Sequence, residues 1–230
     1  MSPYYDHAGI TIYHGDCRDV LPTLSFTADM LITDPPYGMK WVSGRGVQFG
    51  KIVGDDGQTS LVEFLRPVLK PLRRGRHLYC FGAKDFTDLP ISGVVELIWD
   101  KGIISLGNLE CPWGLSHERV LFGVYNLSAS DRARGGGNLA ARMRKQTILR
   151  CDRLHSEAVR NHPTQKPVPI LREFIESSSM IGEIVFDPYC GSGSTLVAAR
   201  IEGRKAIGIE IEEKYCEIAA RRLSQETLSF

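Results

Sequence analysis

A chain of 230 residues, 43% hydrophobic and 24% charged, has the make-up of an ordinary globular protein with core enough for one generous domain. A formal net charge of +1 says little by itself about partners, and no apolar run approaches membrane-spanning length. The opening "MSPYYDHAGITIYHGDCRDV" lacks the basic start and apolar stretch of a signal peptide, so a cytoplasmic protein is expected. Cysteines at 17, 80, 111, 151, 190 and 216 form no CxxC, which favours reduced, mostly buried thiols over a zinc site or a disulfide framework.

In chain order, "GITIYHG" alternates like a strand, and "DMLIT" predicts a short buried strand that ends at Asp34. Residues 38–58 are glycine-rich and aperiodic, a long loop in which Trp41 and Phe49 are lid or ligand contacts or pack back on the body. Leu61, Val62, Phe64, Leu65, Val68 and Leu69 share a helical face capped by Thr59 or Ser60, with Pro67 set to kink or end it. "RHLYCFG", "VVELIWD" and "RVLFGVY" read as further buried strands.

Residues 131–153 hold seven Lys or Arg against two Asp, a local +5, while the remainder has 21 basic and 25 acidic residues and is −4. This segment is either an anion-binding surface or a solvated loop. "NLAARMRKQTIL" within it suits a short helix with Arg142 and Lys145 on one side. Next, "NHPTQKPVPILREFIESS" leads through prolines into a helix that buries Ile170, Leu171, Phe174 and Ile175. The final "EIVFDPYCGSGSTLVAARIEGRKAIGIEIEEKYCEIAARRL" reads strand, glycine loop, helix, strand, helix, and such a βαβα unit argues for a parallel sheet.

Two stretches carry chemistry. In "FDPYCGSGST", glycines let backbone amides approach a ligand at a helix start, and Glu210, at the end of the next strand, is placed to accept from ribose hydroxyls. The spacing is not GxGxxG, so an adenosine-containing cofactor other than NAD is indicated. In "DPPY", Asp34 and the carbonyl of Pro35 can together accept both hydrogens of an exocyclic amino group. Pro35 and Pro36 stiffen the backbone and offer no competing N–H, and Tyr37 can stack on a base taken out of the helix.

These motifs resemble the amino-group DNA methyltransferases that use S-adenosylmethionine. The catalytic tetrapeptide precedes the cofactor loop, as in the permuted, beta-type arrangement of adenine-N6 and cytosine-N4 enzymes. "HGDCRDVL" resembles the segment whose acidic residue, here Asp16, meets the adenine of the cofactor, with Cys17 beside it. "HPTQKPVPIL", with Lys166, resembles the segment at its methionine end. The resemblance thus implies Asp34, Pro35, Pro36 and Tyr37 as catalytic. It implies Asp16, Cys17, Lys166, Asp187, Tyr189, Gly191, Ser192, Gly193, Ser194, Thr195 and Glu210 as cofactor-binding. DNA contacts are expected from Arg132, Arg134, Arg142, Arg144, Lys145 and Arg150.

The expected fold is a single Rossmann-like α/β domain over 1–230, a mostly parallel sheet with helices on both faces, circularly permuted, with residues 102–160 as a target-recognition insertion. Adenine is favoured over cytosine-N4 because an initial Asp resembles the adenine enzymes. Cytosine carbon-5 chemistry is disfavoured, since it needs a cysteine presented after proline, and only Cys111–Pro112, the reverse order, is found. A non-catalytic nucleic-acid-binding protein would show a damaged tetrapeptide or loop, and both are intact. A nucleoid location, a homodimer and a restriction endonuclease companion are compatible with the resemblance. Cys190 reads as a packed thiol and "SHER" at 116–119 as a strand-edge pair; His162 either orders the loop or is structural.

Overall fold

The computed structural model describes residues 1–35, 60–102, 112–126, 145–151 and 165–225. Among them runs a nine-stranded sheet in the order β1-β2-β9-β8-β3-β4-β6-β5-β7. Its strands are β1 (Tyr5–His7), β2 (Ile10–His14), β3 (Ala28–Thr33), β4 (Leu72–Phe81), β5 (Ile91–Asp100), β6 (His117–Tyr125), β7 (Ile148–Arg150), β8 (Ile184–Asp187) and β9 (Lys205–Glu210). Every pairing from β2 through β9, β8 and β3 to β4 is parallel; β1 and β6 run against the rest. The mostly parallel sheet expected from the sequence is what forms.

Apolar side chains cover both faces. On one face α3 (Val168–Ser178), α4 (Ser194–Ile201) and α5 (Glu213–Ser224) bury Ile170, Leu171, Phe174, Leu196, Cys216 and Leu223 against Ile12, Met30 and Ile32. On the other, α1 (Cys17–Val20) and α2 (Leu61–Val68) bury Cys17, Val20, Leu65 and Val68 against Leu31, Leu78 and Phe186. Helix α2 begins in a full capping box, Ser60 Oγ accepting from Glu63 N while the Glu63 carboxylate accepts from Ser60 N, and it ends one residue after Pro67.

This topology fixes where a ligand can sit. From β8 the chain crosses by α4 to β9 on one side, and from β3 by α2 to β4 on the other. The strand order therefore reverses between the adjacent parallel strands β3 and β8, and a crevice opens beyond their carboxyl ends. Asp34 follows β3, and Asp187 ends β8.

Part of the stretch expected as a recognition insertion belongs to the sheet, for β6 pairs with β4 and β5, and β7 with β5. The helix suggested for "NLAARMRKQTIL" does not extend through its end. Residues 145–147 are irregular, and 148–150 are β7 because Ile148 and Leu149 pair with Ile98 and Trp99. Residues 138–144 of that stretch lie outside the described residues. No helix among the described residues is long and apolar enough to cross a membrane.

Candidate active site

The glycine loop after β8 is held in shape by its neighbours. Gly193 has φ +76, and a Cβ there would meet Ala219 at 2.8 Å, so α5 lies directly on the loop. Gly208 on β9 has room for no side chain either, with Leu196 at 2.8 Å and the Cys190 sulfur at 2.9 Å. Arg222 reaches from α5 to donate to Ser192 O at 2.5 Å and to the Ser192 and Ser194 hydroxyls at 3.2 Å. Its guanidinium was not singled out by the sequence reading. Nothing in a C-terminal "ARRL" says that one arginine turns inward.

Glu210, 8% exposed, uses one oxygen to accept from Gly191 N at 2.8 Å and the other to accept from Glu212 N at 2.8 Å. Burial raises its pKa. Gly15 N donates to Glu210 O at 2.8 Å, which brings the end of β2 alongside and sets Asp16 next to the same opening. Asp16 caps α1 by accepting from Arg18 N at 2.9 Å and also binds the Arg18 guanidinium, a bond that lowers its pKa.

Between these carboxylates lies an open cleft of about 420 Å³, counting the solvent at its mouth, walled by Asp16, Cys17, Phe64, Pro188, Tyr189 and Glu210. Flat apolar surface at Phe64 and Pro188 beside the Asp16 and Glu210 carboxylates suits a nucleoside, rings against rings and hydroxyls on oxygen. Phe64 was legible only as a helix-face residue; its second role arises because α2 passes over Tyr189, ring to ring at 6.1 Å.

Of the expected cofactor residues, Asp16, Cys17, Tyr189 and Glu210 line this cleft. Ser192, Ser194 and Thr195 are buried in the loop itself, where Thr195 bonds Asp187 and the serines meet Arg222. The Cys190 thiol is buried and pushed well above its ordinary pKa by desolvation, in keeping with a packed thiol.

Asp187 is wholly enclosed, and burial raises its carboxyl to about 7, aided by the Asp34 and Glu210 charges and opposed by bonds from Thr195 and Tyr189 N. A folded pKa above the unfolded 3.8 favours the folded state most below about pH 4, and that advantage fades as pH rises to about 7, by about 4 kcal/mol. Asp187→Asn without cofactor should therefore melt higher than the parent at pH 8, with the gap closing toward pH 4. A gap independent of pH would assign the titration to another group.

At the other lip of the crevice, Asp34 Oδ2 is 3.0 Å from Lys166 Nζ. Lys166 also lies 2.5 Å from Glu118 Oε1, and Lys101 lies 3.0 Å from Glu118 Oε2. The sequence resemblance put Lys166 at the cofactor's methionine end; the structure sets its ammonium on the Asp34 carboxylate. Burial alone would lower the Lys166 pKa, but Asp34 and Glu118 raise it, so the ammonium is charged at neutral pH. Pro35 is buried, and Pro36 and Tyr37 lie outside the described residues.

Of the expected DNA contacts, Arg132, Arg134, Arg142 and Arg144 lie outside the described residues, as do Trp41, Phe49 and His162. Lys145 is taken up by Glu173 and Glu176 of α3. Arg150 has a side chain 86% exposed and ends β7 at the same edge of the sheet as Lys101. No cluster of three or more metal-ligating side chains occurs among the described residues.

A cleft suited to a nucleoside thus lies on one side of a topological switch point, where ligands of such sheets bind, and a lysine-clamped carboxylate on the other. The sequence model of the family described as DNA methylase matches residues 95–221, over half of the chain. The Type II methyltransferase M2.DpnII of Streptococcus pneumoniae is 46% identical over 97% of this chain and 93% of its own. The DNA adenine methyltransferase YhdJ of Escherichia coli (strain K12) is 51% identical over 63 residues, 27% of this chain and 21% of that one. The crystal structure of an M1.HpyAVI–SAM complex superposes with a TM-score of 0.68 at 22% identity, over 92% of this chain and 98% of that one. The chain belongs to the N6/N4 family of amino-group DNA methyltransferases, and S-adenosylmethionine is its methyl donor.

Proposed function

We propose that the chain methylates the exocyclic N6 amino group of adenine at a specific site in DNA. The observation that carries this reading is the placement of Asp34 just after β3, next to β8 and its glycine loop, with one carboxylate oxygen held by Lys166. S-Adenosylmethionine, when bound, supplies a methyl group on a positively charged sulfur that leaves as a neutral thioether. Asp16 and Glu210 hold its nucleoside end, and the loop from Asp187 to Thr195 the remainder.

At the base, the two amino hydrogens donate hydrogen bonds to Asp34 and to the Pro35 carbonyl. This draws electron density back onto a nitrogen whose lone pair is otherwise spread into the ring. One of these protons is shed to solvent by way of Asp34 once the N–CH3 bond has formed and the S–CH3 bond has broken. Tyr37 stacks on the flipped base, and rigid placement supplies much of the rate. The name of the adenine methyltransferase YhdJ supports adenine, as does the initial Asp of the tetrapeptide. The Type II name of M2.DpnII supports a restriction–modification setting with an endonuclease companion.

Expression in a host without adenine methylation, followed by digestion of its DNA to nucleosides, tests the choice of base. N6-methyldeoxyadenosine is expected; N4-methyldeoxycytidine in its place would overturn it.

DNA is held, on this reading, by the basic segment and Arg150. Affinity that rests on phosphate contacts falls with salt by about 0.9 per contact in log–log slope. Replacing Arg142 and Arg144 together by Ala should flatten that slope, whereas Lys145→Ala should leave it nearly unchanged, because Glu173 and Glu176 already neutralise the ammonium. An equal effect of both changes would return Lys145 to the DNA surface.

A further inference from the structure

Four charged side chains lie in a row along the carboxyl edge of the sheet: Lys101 after β5, Glu118 on β6, Lys166 before α3 and Asp34 after β3. Their spacings are 3.0 Å, 2.5 Å and 3.0 Å, and no side chain of the four is more than 21% exposed. Apolar rings flank the row, with Phe81 at 4.8 Å from Lys166 Nζ and Trp99 at 4.9 Å from Lys101 Nζ. We infer that Glu118 is a positioning residue for methyl transfer, acting through Lys166 to fix the Asp34 carboxylate and preserve its strength as an acceptor.

The inference rests on the proposed role of Asp34. A lysine ammonium on a four-carbon stem has three donors and many rotamers, so a single carboxylate would leave it free to swing. Here one donor is directed to Asp34, one to Glu118, and the Phe81 ring closes the remaining side. The arrangement holds one Asp34 oxygen in place before any base arrives, so little reorganisation is needed during the reaction.

Charge matters as much as geometry. A cation paired with Asp34 alone would draw off the electron density that Asp34 offers to the amino hydrogens. Sharing that cation with Glu118 limits the withdrawal, and Lys101 in turn balances Glu118. Burial raises the Glu118 pKa, but the two ammoniums outweigh it and hold the carboxyl below its ordinary range, so Glu118 is ionised at neutral pH. Lys101 is fixed from the backbone as well, its N–H donating to Ser116 O at 2.8 Å, and the pairing of Trp99 with Glu118 sets both side chains at the edge.

The test compares purified full-length wild type, Glu118→Gln and Glu118→Asp for labelled methyl transfer from S-adenosylmethionine to DNA, for cofactor binding and for melting. Glu118→Gln keeps the shape and removes the charge. Its kcat should fall ten- to hundredfold while KM for cofactor and DNA stays within twofold, and Glu118→Asp should recover much of the loss. A wild-type kcat in Glu118→Gln, or a loss matched by the unfolded fraction and not relieved by Asp, overturns the inference while leaving the proposed function standing. An inactive but folded, cofactor-binding wild type would instead overturn the proposed function itself.

Discussion

Asp34→Ala is expected to bind S-adenosylmethionine as the parent does and to lose methyl transfer by at least about a hundredfold, roughly 3 kcal/mol, the scale of deleting one preorganised polar contact. The cleft suited to the nucleoside is walled by Asp16, Cys17, Phe64, Pro188, Tyr189 and Glu210, and Asp34 stands at the other lip of the crevice beside Lys166. Loss of the carboxylate leaves Lys166 its other partner, Glu118, so a buried cation is not stranded and the fold should survive. Asp34→Asn separates shape from charge, since the amide retains one acceptor and loses the ion pair. Cofactor titration alongside single-turnover transfer checks the result. Residual turnover near the parent's would place the chemistry elsewhere.

Glu210→Ala should act at the opposite step. Its carboxylate accepts from Gly191 N and Glu212 N and lines the cleft. Truncation would both loosen the glycine loop and remove the acceptors for a nucleoside's hydroxyls. Cofactor affinity should fall by one to two orders of magnitude, about 1–3 kcal/mol. Contacts made equally before and during the reaction alter KM and not kcat, so turnover at saturating cofactor should change little. Isothermal titration with kcat at saturation makes the check; unchanged affinity would take Glu210 out of the site.

Both variants probe residues visible in the sequence, because each stands where a strand's apolar run stops. Strand ends were less legible where glycine interrupts the pattern. The sequence reading began β4 at Arg76 and β5 at Val94, yet both strands start earlier and pass through a register shift beside Gly75 (φ +76) and Gly93 (φ +62). β1 and β7 are three-residue edge strands, too short to show a period.

Local pattern also could not supply the partners of charged residues. Glu118 looked like a strand-edge acid, and its meaning comes from a lysine 48 residues away. Its motif placed Lys166 near the cofactor's methionine end, but no local pattern showed that the end of β3 brings Asp34 to it. Arg222 likewise is one of two adjacent arginines on α5. Arg221 is exposed and pairs with Glu217, while its neighbour reaches Ser192 and Ser194.

On the proposed function, this crevice methylates a base amino group in DNA. Purified protein, unmethylated duplex DNA and S-adenosylmethionine labelled in its methyl group, followed by digestion to nucleosides, test it most directly. Label is expected on an amino nitrogen, N6 of adenine, in wild type, with almost none in Asp34→Ala. Label on cytosine carbon-5, or equal labelling by the two proteins, would contradict it.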